Sequence, residues 1–319
     1  MSTLLPLPAI DGVEITTIVD NTLDLLMAST PIAHRFPFHR ELFSPHQLRA
    51  EHGLSLLVTV LNQGKRETLL YDTGVTPDGA VHNLALLGVD LSSIQAIVLS
   101  HGHTDHTRGL DGLLDKLGKR RLPILLHPDA FLKRRLVVND QVSIDLPPPS
   151  LHDLSREGIE LLVERCPSFL INGTLLVTGQ IARTTEFEKG VKIQEAEVDG
   201  SWLPDPWVYD DQALVIHVRN KGLVVITGCG HAGVINIVHQ ARSLTGVEQI
   251  YAVLGGFHLV GASFESIIPQ TVEALRQINP AVVVPAHCTG WHAMQQISLA
   301  LPEAYIPNSV GTTFKLMAD

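Results

Sequence analysis

Three cysteines in 319 residues, Cys166, Cys229 and Cys288, are odd in number and show no C-x-x-C spacing. That excludes a disulfide framework and a structural zinc ribbon. No apolar run approaches the ~20 residues that span a bilayer. Met1 to Gly12 lacks the basic-then-apolar order of a secretory leader. Positive charge is also scarce: 23 Lys and Arg against 33 Asp and Glu leave a net charge of −10. Such a chain has little with which to track a phosphate backbone. Neither nucleic acid nor membrane is therefore an expected partner, and the expected setting is the cytoplasm. Apolar residues at 45% and charged residues at 18% supply an ordinary globular core.

What is abundant is histidine, 16 in all, and its placement is uneven. His101-Gly102-His103-Thr104-Asp105-His106 packs three imidazoles and one carboxylate into six residues. It follows the β-branched apolar run Ile94 to Ser100, which reads as a buried strand. Leu110, Leu113, Leu114 and Leu117 then fall at helical spacing. A cluster at a strand-to-helix junction lies where layered α/β folds carry their sites. Imidazole and carboxylate suit zinc, iron or manganese, and four such groups serve one metal or divide between two.

This arrangement resembles the metallo-β-lactamase superfamily, whose HxHxDH loop follows a strand in the same way. The resemblance implies an α/β fold, an αββα sandwich, and a metal-dependent hydrolase. It further implies that His101 and His103 bind one metal, and that Asp105 and His106 bind a second. A family strand ending in aspartate lies beside this loop; here Glu67 to Tyr71 ends in Asp72, which becomes a supporting residue behind the metal ligands.

Along the chain, Leu56–Leu61 and Glu67–Tyr71 form a hairpin around Asn62 to Lys65. His82 to Leu87 read as a helix closed by Gly88, and Pro123–Leu126 as a strand. Residues from about 131 to 213 are irregular, with Pro147-Pro148-Pro149 and the Trp202 to Trp207 stretch. They are expected to cover the site within a single domain spanning residues 1–319. Order returns with the hairpin Ala213–Val218 and Gly222–Thr227, the strand Ile250–Leu254, a helix from Pro269 to Ile278, and the strand Ala281–Val284. Three of these strands run into small-residue loops that carry His231, His258 and His287.

Parallel strands deliver the residues beyond their carboxyl ends to one rim. His231 is expected as the third ligand of the first metal. The family pattern of a near-terminal histidine after a strand makes His287 a ligand of the second. His258 is open to three roles: further ligand, substrate contact or general acid. Asp105 is expected to orient a metal-bound hydroxide as well as to bind metal. Many family members carry a bridging aspartate after Thr-Gly; this chain reads Thr227-Gly228-Cys229, so Cys229 is either a thiolate near the metals or an inert core residue. Zinc is the expected cofactor, one or two per chain, with iron or manganese as alternatives. His34, His39, His46, His52, His82, His152 and His239 have no comparable setting and read as surface or helix-face residues.

Gly228-Cys229-Gly230-His231-Ala232-Gly233, Gly255-Gly256-Phe257-His258 and Pro285-Ala286-His287-Cys288-Thr289-Gly290 narrow the resemblance. They are similar to the branch containing the dihydropterin–ribofuranosylaminobenzene-phosphate synthases of methanopterin biosynthesis. Arg183, Phe187, Trp202 and Trp207 lie in the irregular segment and are expected to hold a planar, partly anionic substrate by stacking and charge. The functions in view are hydrolysis of a small ester, lactone, amide or phosphoester, a pterin-linked transfer, or metal binding without catalysis. The partner is a small molecule; a homodimer rests only on what is general for soluble enzymes.

Overall fold

The computed structural model describes residues 4–37, 44, 46–139 and 141–319, so His39 lies outside the described residues. Strands with apolar residues on both faces must be covered on both sides, and that requirement sets the layers. In Leu214–Val218, residues Leu214, Ile216 and Val218 point to one core and Val215, with Ala213 just before the strand, to another. Gly222–Thr227 repeats the pattern with Val224 and Ile226 against Leu223 and Val225.

Two large sheets result. One runs in the order Ile159–Val163, Leu122–Leu126, Ile94–Val98, Lys65–Tyr71, Ser55–Asn62, Gly12–Val19, Thr313–Met317, Ala33–His34. The other runs Ser168–Leu170, Leu175–Val177, Leu214–Val218, Gly222–Thr227, Ile250–Gly256, Val282–Ala286, with Ala9–Ile10 pairing beside Leu214–Val218. Val58, Leu69, Tyr71 and Val98 of the first meet Ile216, Ile226, Leu254 and Val284 of the second in a shared core. The helices Val234–Thr245, Ile268–Ile278 and Trp291–Ala300 cover the outer face of the second sheet, and Gly79–Leu86 and Leu110–Leu117 that of the first. The architecture is an αββα sandwich. Among the described residues, no helix is long and apolar enough to cross a membrane.

The stretch that looks irregular in sequence contains a third, four-stranded sheet: Ser201–Pro204, Gln194–Val198, Arg134–Asn139, Val142–Leu146. A buried guanidinium pins it to the body. Arg134 donates to Asp205 Oδ2 at 2.7 Å and to both Asp210 oxygens, at 2.6 and 3.1 Å. Asp210 Oδ2 also accepts the Gly102 N–H at 2.7 Å. One ion cluster thus joins the small sheet to the histidine-rich loop. Replacing Arg134 with Met leaves the fully buried Asp210 unpaired and is expected to cost about 3–5 kcal/mol in chemical denaturation. A loss near zero would mean that the sheet is held by other contacts.

Candidate metal centre

The strand Ile94–Val98 ends beside Lys65–Tyr71 in parallel register, so the loop after one emerges next to Asp72 after the other. Asp72 adopts a left-handed backbone at φ 61°. Its Oδ1 accepts the Ser100 N–H at 2.6 Å; its Oδ2 accepts the Ser100 hydroxyl and the His106 Nδ1–H, each at 2.7 Å. With its proton given to Asp72, the Ser100 hydroxyl accepts from His101 Nδ1 at 2.8 Å. Both rings are thereby fixed as Nδ1–H tautomers, with the Nε2 lone pairs of His101 and His106 turned inward. Gly102 has to be glycine, because a Cβ there would lie 2.2 Å from the Ala130 carbonyl oxygen.

Two sets of candidate metal donors form. In the first, His103 Nδ1 faces His231 Nε2 at 3.0 Å, and the His101 ring lies 4.6 and 4.8 Å from theirs. In the second, Asp105 Oδ2 lies 3.2 Å from His287 Nε2 and 3.7 Å from His106 Nε2. Cys229 stands between them: its Sγ is 3.1 Å from His106 Nε2. It lies within 4.8 Å of the donor atoms of Asp105, His106 and His287, and equally of those of His101 and His231.

Burial holds His101 and His231 well below the usual imidazole pKa and takes His103 down to about 4, so these rings are neutral donors at pH 7. Burial pushes the Asp105 carboxyl up, but the His106 and His287 imidazoles override this and hold it well below the carboxylate range. Burial depresses His106, yet Asp105 and Asp72 outweigh it and raise that ring to about 9. Without a metal its Nε2 therefore also carries a proton at pH 7, and a bound ion would displace that proton to free the lone pair.

The donor set fits a divalent metal. His101 Nε2 and His287 Nε2 are buried without a hydrogen-bond partner, as are His103 Nε2, His231 Nδ1 and His258 Nδ1. Each buried orphan costs about 1–3 kcal/mol, which coordination would relieve for the inward-facing nitrogens. Asp105, His106 and His287, together with His101, His103 and His231, are the residues that would hold it.

His287 is aimed by residues that sequence patterning passes over. Asp20 Oδ1 accepts its N–H at 2.8 Å, and Asn21 Oδ1 its Nδ1–H at 3.2 Å. Both follow the strand Gly12–Val19, so the strand-end rule that finds the histidines also points here. His52, read from sequence as a surface residue, stands at the rim with Nε2 3.9 Å from Asp105 Oδ2. No local pattern marks it.

A cavity of about 560 Å³ opens onto the centre. His103, Asp105, Cys229, His231 and His258 form its floor; Leu136, Leu146, Val191, Ile193, Val260 and Phe264 form its walls. The segment near 131–213 contributes wall residues, but not those expected. Arg183, Phe187, Trp202 and Trp207 do not line this cavity. The Arg183 guanidinium is turned to the Trp207 carbonyl. Phe187 packs against the core under the outer helices. It does so because Glu188 beside it caps the helix Val234–Thr245, accepting from Ile235 and Asn236 at 2.9 Å. Trp202 lies under the Arg135 guanidinium, 4.3 Å away, on the opposite face of the small sheet.

Two outcomes follow. Asp72→Asn removes the shared acceptor and is expected to weaken metal binding about 10–100-fold, read by competition with a chelator; unchanged affinity would show that the loop orients itself. Trp202→Ala is expected to leave the KM of any substrate unchanged, and a several-fold rise would restore the tryptophan to the site.

A model of the metallo-beta-lactamase superfamily matches residues 49–236. The chain is 32% identical over 248 residues to the 7,8-dihydropterin-6-methyl-4-(beta-D-ribofuranosyl)-aminobenzene-5'-phosphate synthase of Methanocaldococcus jannaschii, covering 76% of this chain and 83% of that one. It is also 32% identical over 257 residues to an uncharacterized protein of the same organism, covering 78% and 88%. Among solved structures, a metal-dependent hydrolase of the beta-lactamase superfamily shares the fold with a TM-score of 0.72 at 24% identity, over 96% of this chain and 99% of that one. The layered sheets, the HxHxDH loop and these matches agree: the chain belongs to the metallo-beta-lactamase superfamily.

Proposed function

We propose that the protein is a divalent-metal-dependent hydrolase of small, uncharged esters or lactones. The observation that carries this is the juxtaposition of two inward-facing ligand sets with an apolar-walled cavity. A divalent metal held there supplies Lewis acidity and activates water as a nucleophile at neutral pH. Asp105, kept ionised, is placed to bind metal and to orient the attacking water. His258 forms part of the cavity floor, its ring 4.2 Å from that of His231, where it can pass a proton to a leaving group. The apolar walls exclude bulk water and receive the acyl portion.

The lining argues for acyl over phosphoryl substrates. The walls offer apolar side chains to an acyl group, whereas apart from the metals, which would carry part of a phosphoester's charge, Lys192 is the one lysine or arginine among the described lining residues. A second reading, pterin-linked transfer, is favoured by the 32% identity to the synthase over most of both chains. Against it, Phe264 is the one phenylalanine, tyrosine or tryptophan on the cavity wall, which gives a pterin ring no pair of faces to stack between.

The test is turnover of neutral aryl esters and lactones beside an aryl phosphodiester and a dihydropterin with an aminobenzene acceptor. Ester or lactone hydrolysis is expected, lost on chelation and restored by zinc, manganese or iron. His258→Ala is expected to lower kcat by about 10²–10⁴. Condensation of the pterin pair without ester hydrolysis would replace this reading with the second.

A further inference from the structure

Cys229 has a second set of neighbours on the cavity side. The strands Gly222–Thr227, Ile250–Gly256 and Val282–Ala286 are adjacent and parallel, with Thr227 opposite Gly255 and Gly256 opposite Ala286. Just beyond their ends come Cys229, His258 and Cys288, whose donor atoms all lie within 4.8 Å of one another. Both thiols are free and buried, 2% and 6% exposed. His258 is held at φ 45°, a left-handed conformation that costs a non-glycine residue free energy, and its buried Nδ1 has no partner. The close approach is built into the backbone: a Cβ on Gly256 would come within 2.7 Å of the Cys288 sulfur. All three residues line the cavity.

We propose that Cys229, His258 and Cys288 form a further metal pocket, which shares Cys229 with the two histidine–aspartate sets and takes a thiophilic divalent ion such as zinc, cobalt or cadmium. The inference rests on the metal reading above and goes beyond it by giving Cys288 a coordinating role and by making His258 a ligand whenever this pocket is filled, its proton transfer belonging to the protein with the pocket empty. Two sulfurs and one imidazole are a soft set, matched to these ions over magnesium or manganese. Three protein donors would leave a fourth position for a water or other small ligand. On binding, two metal–sulfur bonds form, both S–H bonds break, and two protons pass to solvent.

The test is titration of the metal-free full-length protein with cobalt(II). It follows the near-ultraviolet thiolate-to-cobalt absorption, the ions bound per chain and the protons released. The wild type is expected to show the band at an intensity for two thiolates. Cys288→Ser should lower it by about half and remove one ion or weaken it at least ~10-fold, Cys229→Ser should lower it likewise, and His101→Ala and Cys166→Ser should leave it intact. His258→Ala should weaken the same ion without removing the band at saturation. Cys288→Ala repeats the measurement should the serine variant fail to fold. A band and stoichiometry unchanged in the Cys288 variants, with cobalt still bound, would overturn this inference alone. A wild-type protein that binds no cobalt would overturn the metal reading with it.

Discussion

The Asp72 carboxylate is the constraint on which the centre depends. It receives three hydrogen bonds in a fully buried setting, two from Ser100 and one from His106. Through them it orients two rings that a flexible loop would leave free to rotate. Its position follows from parallel pairing of the strands Lys65–Tyr71 and Ile94–Val98, and so from the hydrophobic core that fixes their register. The chemistry of the loop is thus underwritten by packing far from it.

The second sheet contributes by the same geometry. Its three parallel strand ends set Cys229 and His231, His258, and His287 at one rim, opposite the loop from the first sheet. Neither sheet completes a candidate donor set alone: His101 and His103 meet His231, and Asp105 and His106 meet His287. Buried, neutral imidazoles facing one another at 3.0 Å form a poor apo core and a good ligand cage. Left-handed backbones at Asp72, His258 and His287 concentrate strain at the same rim. These local costs are offset by the large shared core between the sheets and the helices outside them.

The layered fold and the histidine loop were legible in the sequence because each depends on local signals. Period-two apolar runs mark strands, and three imidazoles in six residues mark donors. Asp72 and His287 were legible for a related reason, since each directly follows such a strand, and His231 because it lies in the short glycine-rich loop after one. The small sheet was not legible: its strands carry Arg134, Arg135, Glu195 and Glu197, and its order comes from a buried ion cluster between distant residues. Arg183 and the two tryptophans misled because residue type suggests a binding role without giving a direction. In the fold the Arg183 guanidinium turns to the Trp207 carbonyl, and Trp202 lies under the Arg135 guanidinium. His52 reaches the centre through a loop alone, which no periodicity announces.

The central claim is that two ligand sets from opposite sheets share one centre with Cys229 between them. Metal-edge X-ray absorption on the zinc-loaded wild type tests it most directly. The account predicts a nitrogen/oxygen shell, a sulfur scatterer at about 2.3 Å, and a metal–metal vector near ~3.5–4 Å. A fall in the sulfur contribution in Cys229→Ser, to what Cys288 alone supplies, would complete the case. A single nitrogen/oxygen shell, with neither sulfur nor a second metal, would contradict it.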